Sequence, residues 1–445
     1  MKIKNYILIS FLLTSTNLLF SQDTSIYKLR LSVPIIDFSK KFQYPTMNQT
    51  LEFSNDFYEL SFWGIDELGN SIFKSKKTSK FQKYSKKAFK YALSYGFSKY
   101  GSELPIPLGI WAHEEFHRST LNVANIDSKN GNWIFNRWDG TVYGVSDAEL
   151  DNLKSTNLNQ LLYSYVAGVQ YENVLNQKVT LDDFYFNRTF TKNALLLYNA
   201  FYTYNYFKFS TSSFTDSVKI LAPPHESKNP SERDFAGADL TAWAYDMFNP
   251  NLPFSSRDSF PDGDGINRRV GISDLSPNAL LYLEKQKKLS LLNFVNPAIF
   301  LVNRIKINEN FSFNIFAQYS PTHFGNDIAV FLPMKYKKFD LLLNFHNYNN
   351  FKNNKHGIGF GLFNYAISSK ISTDFNLNIW EQPTDFFSNK SNFGGAFEFK
   401  TKYNLKNNLT GFVALNGKTN GWKIGNPYLN QNISVIFGIN FNLKS

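Results

Sequence analysis

The 445-residue sequence has no cysteine, four methionines and six histidines. Without cysteine no disulfide can staple the chain, so stability must come from a large core or from closure of a sheet. Beyond the N-terminus, no segment reaches the roughly eighteen uninterrupted apolar residues of a membrane-spanning helix. A β-barrel is not excluded, because barrel strands hide their membrane character in alternation. What is abundant is aromatic: Phe 45 and Tyr 25, with 17% aromatic residues in all. That excess suits strands and membrane-interface girdles. The net charge is +11.

The first residues read as an export signal, residues 1–21. Lys2 and Lys4 form a positive start, Tyr6 to Phe20 an apolar stretch, and Ser21 a cleavage point that leaves Gln22 first. In an exported chain the positive balance faces acidic lipid head groups or polyanionic glycans, and nucleic acid is not an expected partner.

From about Pro297 onward the period is two. Ile433, Val435, Phe437, Ile439, Phe441 and Leu443 share one face, with Ser434, Gly438, Asn440 and Asn442 on the other and Ile436 as the exception. Adjacent strand residues point to opposite faces, so the pattern makes one apolar and one polar wall. Phe311, Phe313, Ile315, Ala317 and Tyr319 repeat it, as do Phe339 to Phe345 and Ile371 to Ile379. Phe397, Phe399 and Tyr403 oppose Glu398, Lys400 and Lys402. Tyr27 to Ile35 alternates in the same way and is expected to pair with the last strand and close the barrel, giving about ten strands. Pro333 weakens one strand. A secreted sandwich would also alternate. The aromatic faces, the strand lengths and the short Asn/Gly/Lys turns favour an outer-membrane barrel.

Between residues 37 and 296 the period becomes helical. Phe81, Tyr84, Ala88, Tyr91 and Tyr95 follow one helix face, with Lys80, Lys83, Lys86, Lys87 and Lys90 on the rest. This is either a solvated lysine face or a basic amphipathic helix on lipid or glycan. Ala194 to Phe207 reads as a buried core helix.

One motif carries chemistry. His113-Glu114-Glu115-Phe116-His117 is HExxH, preceded by Pro107, which suits a first helical position. One turn apart on a helix, His113 and His117 reach a single metal, and Glu114 sits where it can take a proton from water. The motif resembles the zincin metallopeptidases. The resemblance implies Zn²⁺ on His113 and His117, with Glu114 as general base. No third histidine stands at the metzincin spacing.

A third ligand is needed. A second helix, capped by Ser155 or Thr156, places Leu161, Tyr165, Gly168, Glu172 and Leu175 on one face. Ala167 and Gly168 would let another backbone approach closely. A glutamate on a helix downstream of HExxH is the gluzincin arrangement, which makes Glu172 the first choice and Asp239, on a helix with Trp243, the second. His225 and Tyr143 are candidates for steadying an oxyanion, and Asp262 to Gly265 reads as a Gly-rich turn.

The fold class expected is α+β: a signal (1–21), a first barrel strand (22–36), a mostly helical zincin-like domain (37–296) and an antiparallel transmembrane barrel of about 8–10 strands (297–445). The expected function is a zinc-dependent metallopeptidase of the outer membrane, whose partners are membrane lipid and a peptide or protein substrate. Two other classes fit the same residues: a passive pore or adhesin with a structural or vestigial metal site, and an amide hydrolase acting on glycan or lipid.

Overall fold

The computed structural model describes residues 26–37, 44–73, 79–186, 190–261 and 263–444. The signal read at residues 1–21 lies outside them.

Period-two alternation folds into one antiparallel sheet of eleven strands. β1 (Ile26–Asp37) is followed, after a small hairpin β2 (Lys129–Asn130) and β3 (Val142–Tyr143), by β4 (Ile305–Lys306), β5 (Phe311–Phe313), β6 (Phe316–Thr322), β7 (Gly325–Tyr336) and β8 (Phe339–Asn349). The remainder are β9 (Asn354–Ala366), β10 (Ile371–Pro383), β11 (Ser391–Lys406), β12 (Leu409–Lys418) and β13 (Asn432–Lys444). The order is β1-β13-β12-β11-β10-β9-β8-β7-β5-β4, with β6 beside β7.

The two faces are the reverse of a soluble sandwich. Phe437, Ile439, Leu415, Phe399, Ile379 and Ile358 are exposed on the outer face. Asn376, Asn378, Glu398, Lys400, Lys402 and Asn440 line an internal cavity of about 430 Å³.

β1 pairs with β13 as expected, from Ile26 opposite Lys444 to Asp37 opposite Ser434. The expected closure is corrected, because among the described residues the sheet stays open between β1 and β4. Both edges are occupied by the helical part. β6 gives its outward N–H groups to Val295 O (from Ala317, 2.8 Å) and Asn293 Oδ1 (from Tyr319, 2.7 Å).

The single strand read through Phe311 to Tyr319 is broken. Phe313 pairs with Met334 and Phe316 with Phe331, so Asn314 and Ile315 stand opposite the neighbourhood of Pro333. The Pro333 carbonyl accepts from Asn314 N–H at 3.0 Å. Proline has no N–H to return, so the ladder lapses there while β7 itself runs on.

The helices are α1 (Met47–Ile72), α2 (Lys80–Tyr100), α3 (Gly109–Val123), α4 (Asp147–Tyr185), α5 (Asn193–Ser210), α6 (Phe214–Leu221), α7 (Asp239–Phe248) and α8 (Pro277–Ser290). Capping boxes start three of them: Thr46 with Gln49, Ser79 with Gln82, and Ser146 with Glu149.

Three local expectations are corrected. α3 begins at Gly109, after Leu108 as cap, rather than at Pro107. α4 starts at Asp147 and kinks at Asn157, whose side chain accepts from Gln160 N–H. Ser155 and Thr156 do not cap; their hydroxyls bond back to the Asn152 carbonyl. α5 is buried on one side only, since Phe201 faces outward.

α7 and the part of α4 just beyond its kink dock on one end of the sheet, while the C-terminal end of α4 reaches the other, where Tyr185 donates to Leu341 O. Asn159 donates to Thr384 O, Tyr163 to Asn426 O, Gln170 to Pro321 O and Trp243 to Thr322 O. Those acceptors lie at or in the connections that follow β6, β10 and β12, at the end of the sheet away from Ile26 and Lys444.

Candidate metal centre

The HExxH residues lie on α3, whose motif is buried throughout. α3 packs along α4 beyond the Asn157 kink, and Gly168 is the point of closest approach. A Cβ there would stand 2.3 Å from His113 Nε2 and 2.2 Å from His117 Nε2. Any side chain at 168 would therefore intrude on the space between the two imidazoles.

The outer nitrogen of each ring is fixed from behind. His113 Nδ1 lies 3.3 Å from Glu172 Oε1, and His117 Nδ1 donates to the Ser164 carbonyl. With the proton on Nδ1, each Nε2 carries its lone pair inward, the tautomer a metal-binding histidine needs.

Asp239, the first residue of α7, closes the group. Its Oδ2 lies 3.5 Å from His113 Nε2 and 3.2 Å from His117 Nε2. The three ligand atoms fall within 4.8 Å of one another. His117 Nε2 is buried and makes no hydrogen bond, despite lying 3.2 Å from that oxygen. Around a tetrahedral ion with bonds of about 2.0–2.1 Å, neighbouring ligand atoms stand roughly 3.3 Å apart. The spacing here fits.

Glu172, the first choice for third ligand, is buried in the same place but stands on the Nδ1 side of His113, away from the two Nε2 atoms. Asp239 is the carboxylate that stands beside the two Nε2 atoms. The reason is the direction of α4: Gly168 faces the imidazole pair, and Glu172, one turn on, reaches the far side of the His113 ring.

Three carboxylates (Glu114, Glu172 and Asp239) and two imidazoles are buried together, so each shifts the others' protonation. Burial opposes charge on His113, yet Glu172 and Asp239 raise its pKa well above the usual imidazole range. Burial works to raise Asp239, but His117 and His113 hold its carboxyl far below the ordinary value. Burial pushes the Glu114 carboxyl well above its usual range, with His113 opposing and Asp239 adding to the effect. A bound divalent ion would supply the charge these groups otherwise take from protons.

Aromatic rings wall the site. Tyr202 and Tyr206 of α5 set their edges against His113, and Phe235 lies against His117. Tyr206 donates to Asp239 Oδ2 at 2.6 Å. The repeat Tyr198, Tyr202, Tyr206, four residues apart, was the sequence signal for this wall; the Ser164 carbonyl had none. Behind the site, Asp246 of α7 is buried between Lys154 (2.7 Å), Arg257 (2.7 Å) and Tyr165 (3.0 Å), which locks α7 to α4.

The remaining candidates stand apart from this group. His225 is exposed, and the Tyr143 hydroxyl donates to Asn136. Asp262 lies outside the described residues. None of His113, Glu114, His117, Glu172 and Asp239 lines the large internal cavity.

No family model and no curated protein matches this sequence. Among solved structures, the NanC porin is similar over 32% of this chain and 76% of its own, at 11% identity and a TM-score of 0.25.

Proposed function

We propose that the chain is a zinc-dependent hydrolase of the bacterial outer membrane that cleaves a peptide bond. The observation that carries this reading is the convergence of His113 Nε2, His117 Nε2 and Asp239 Oδ2 on one point kept open by Gly168. Asp239 is then the third ligand, and Glu172 orients His113 from behind.

When bound, zinc supplies Lewis-acid polarisation of the scissile carbonyl and acidifies a water. Glu114 takes the proton from the attacking water and passes it to the departing amine. A carboxyl whose burial disfavours charge is a ready proton acceptor once a cation stands beside it. Tyr206 positions Asp239, and the Ser164 carbonyl positions His117.

The outer-membrane reading is supported by the sheet, whose aromatic and aliphatic side chains face outward and whose Asn, Lys and Glu side chains face inward. With both sheet termini on the periplasmic side, the docking of Asn159, Tyr163 and Trp243 at the opposite end supports a metal centre at the cell surface or in the outer mouth of the sheet.

The test is elemental analysis of the detergent-purified protein with Glu114→Gln beside it. About one zinc per chain in both, with hydrolysis of a denatured protein lost only in the variant, is expected. Absence of any transition metal would overturn the enzyme reading and leave the pore or adhesin. Zinc without proteolysis would favour the amide hydrolase of glycan or lipid.

A further inference from the structure

Two helices carry their polarity the wrong way round for a water-facing surface. Along α1, Glu52, Asp56 and Glu59 form one stripe, and that stripe meets the free edge of β1. Lys28 N–H donates to Glu59 Oε2 at 3.2 Å, and Arg30 N–H to both Asp56 oxygens at 3.0 and 2.8 Å. Ser32 bonds through its hydroxyl to Glu52, and its carbonyl accepts from Gln49 Nε2 at 3.0 Å.

The two repeats are close enough to match. Edge groups on a strand recur about every 6.7 Å, and side chains three or four apart on a helix recur about every 4.5–6 Å. α1 therefore stands where the next strand of a barrel would stand, and its acids replace that strand's carbonyl oxygens.

The remaining side of α1 is apolar and open: Phe57, Leu60, Leu68 and Ile72 are exposed. α2 repeats the inversion. Its buried residues are Lys90, Ser94 and Ser98, whereas Phe81 is 79% exposed and Tyr84, Ala88 and Leu93 also face outward, with exposed Lys80, Gln82 and Lys83 confined to its first turn and Lys99 to its last. Lys90, expected on the lysine face, bonds inward to Asp66 at 3.0 Å. On β1, which α1 contacts, Leu31 and Val33 are exposed as well, and further exposed apolar side chains stand on α5 (Phe201), which contacts α2, and on the segment leading to the other sheet edge (Val295, Phe300 and Ile315). Apolar exposure of that extent is not left to water by a soluble monomer.

We infer that the α1–α2 hairpin is a lipid-facing stave that closes the seam of the barrel, and that the acyl chains of the bilayer cover it. This rests on the outer-membrane reading above. α1 has 26 residues, about 39 Å of helix, which crosses a hydrocarbon core of about 30 Å with room to tilt. No helix among the described residues is apolar enough overall to be taken for a span. In α1, Glu52, Asp56, Glu59 and Asp66 are turned to β1, and the one acid left outward, Glu67, stands in the last turns of the helix.

Because the chain lacks cysteine, single-cysteine variants can be labelled directly. Leu60→Cys, Leu68→Cys and Tyr84→Cys test the stave, Val413→Cys the outer face of the sheet, and Ser256→Cys a water-facing control. Each full-length variant carries a fluorophore and is reconstituted in phosphatidylcholine vesicles with brominated acyl chains. Quenching at the three helix positions within about twofold of that at Val413, and absent at Ser256, is expected. Quenching at Val413 but not at the helix positions would overturn the inference and leave the barrel reading standing. No quenching anywhere would overturn both. Disulfide-linked dimers through Leu60→Cys or Tyr84→Cys, with quenching weak at those sites, would assign the face to a second copy and also overturn it.

Discussion

The Tyr206 phenol donates to Asp239 Oδ2 at 2.6 Å, the same oxygen that faces His113 Nε2 and His117 Nε2. A hydrogen bond of this kind fixes a carboxylate's rotamer and moderates its charge. Removing such a support costs about 10–100-fold in metal affinity in comparable sites. Tyr206→Phe is expected to retain zinc at saturation but to lose it to a competing chelator at about tenfold lower chelator concentration. An unchanged competition curve would show that the phenol does not act through Asp239.

Asp239→Ala and Glu172→Ala should separate ligand from support. Asp239→Ala removes one of three ligand atoms and is expected to leave no zinc after dialysis. Glu172→Ala leaves His113 Nδ1 without its carboxylate and is expected to weaken retention about 10–100-fold. Full retention in Asp239→Ala with complete loss in Glu172→Ala would reverse the two roles.

Gly168→Ala is the sharpest steric test. In a helix interior alanine is favoured over glycine by about 1 kcal/mol, so the metal-free fold is not expected to suffer from backbone preference. The new Cβ falls 2.2 and 2.3 Å from the two Nε2 atoms. Zinc binding is expected to fall at least a hundredfold, and because the Cβ overlaps the buried imidazoles themselves, Tm in chelator is expected to fall as well, by the cost of an overpacked core of about 1–3 kcal/mol. Normal zinc content would place the metal elsewhere.

The orientation of the helical part is open to proteolysis. A protease site inserted beside Lys228, in an exposed stretch beyond the α4–α7 end of the sheet, should be cut on intact cells. Protection that ends only when the outer membrane is permeabilised would put the metal centre in the periplasm.

Some of this was legible because it is local. HExxH declares a two-imidazole site, since i and i+4 share a helix face whatever the helix packs on. Alternation in Ile433 to Leu443 declares a strand with two unlike walls. The capping boxes at Thr46, Ser79 and Ser146 mark helix starts by chemistry confined to four residues.

Other features depend on which way an element is turned. That Asp239 rather than Glu172 stands beside the two Nε2 atoms follows from Gly168 facing the imidazoles, a matter of how α4 lies on α3, and no spacing in the sequence encodes that rotation. The aromatic face of α2 was visible as periodicity. A helical stripe says only that two faces differ; whether the apolar one turns inward or outward is set by its neighbours, here by Asp66 drawing Lys90 into the interior.

The sequence by itself determined that two histidines and a glutamate share one helical turn, that the C-terminal third is stranded, and that Tyr27 to Ile35 is one more strand. Tertiary structure alone decided that this strand is an edge rather than a closure, that α1 and not β4 satisfies it, and that Asp239 joins the histidines. The reason is range. Residue pattern fixes interactions within a few positions, whereas the contacts that complete the site and the seam join residues 17 to 126 positions apart, where only packing brings the partners together.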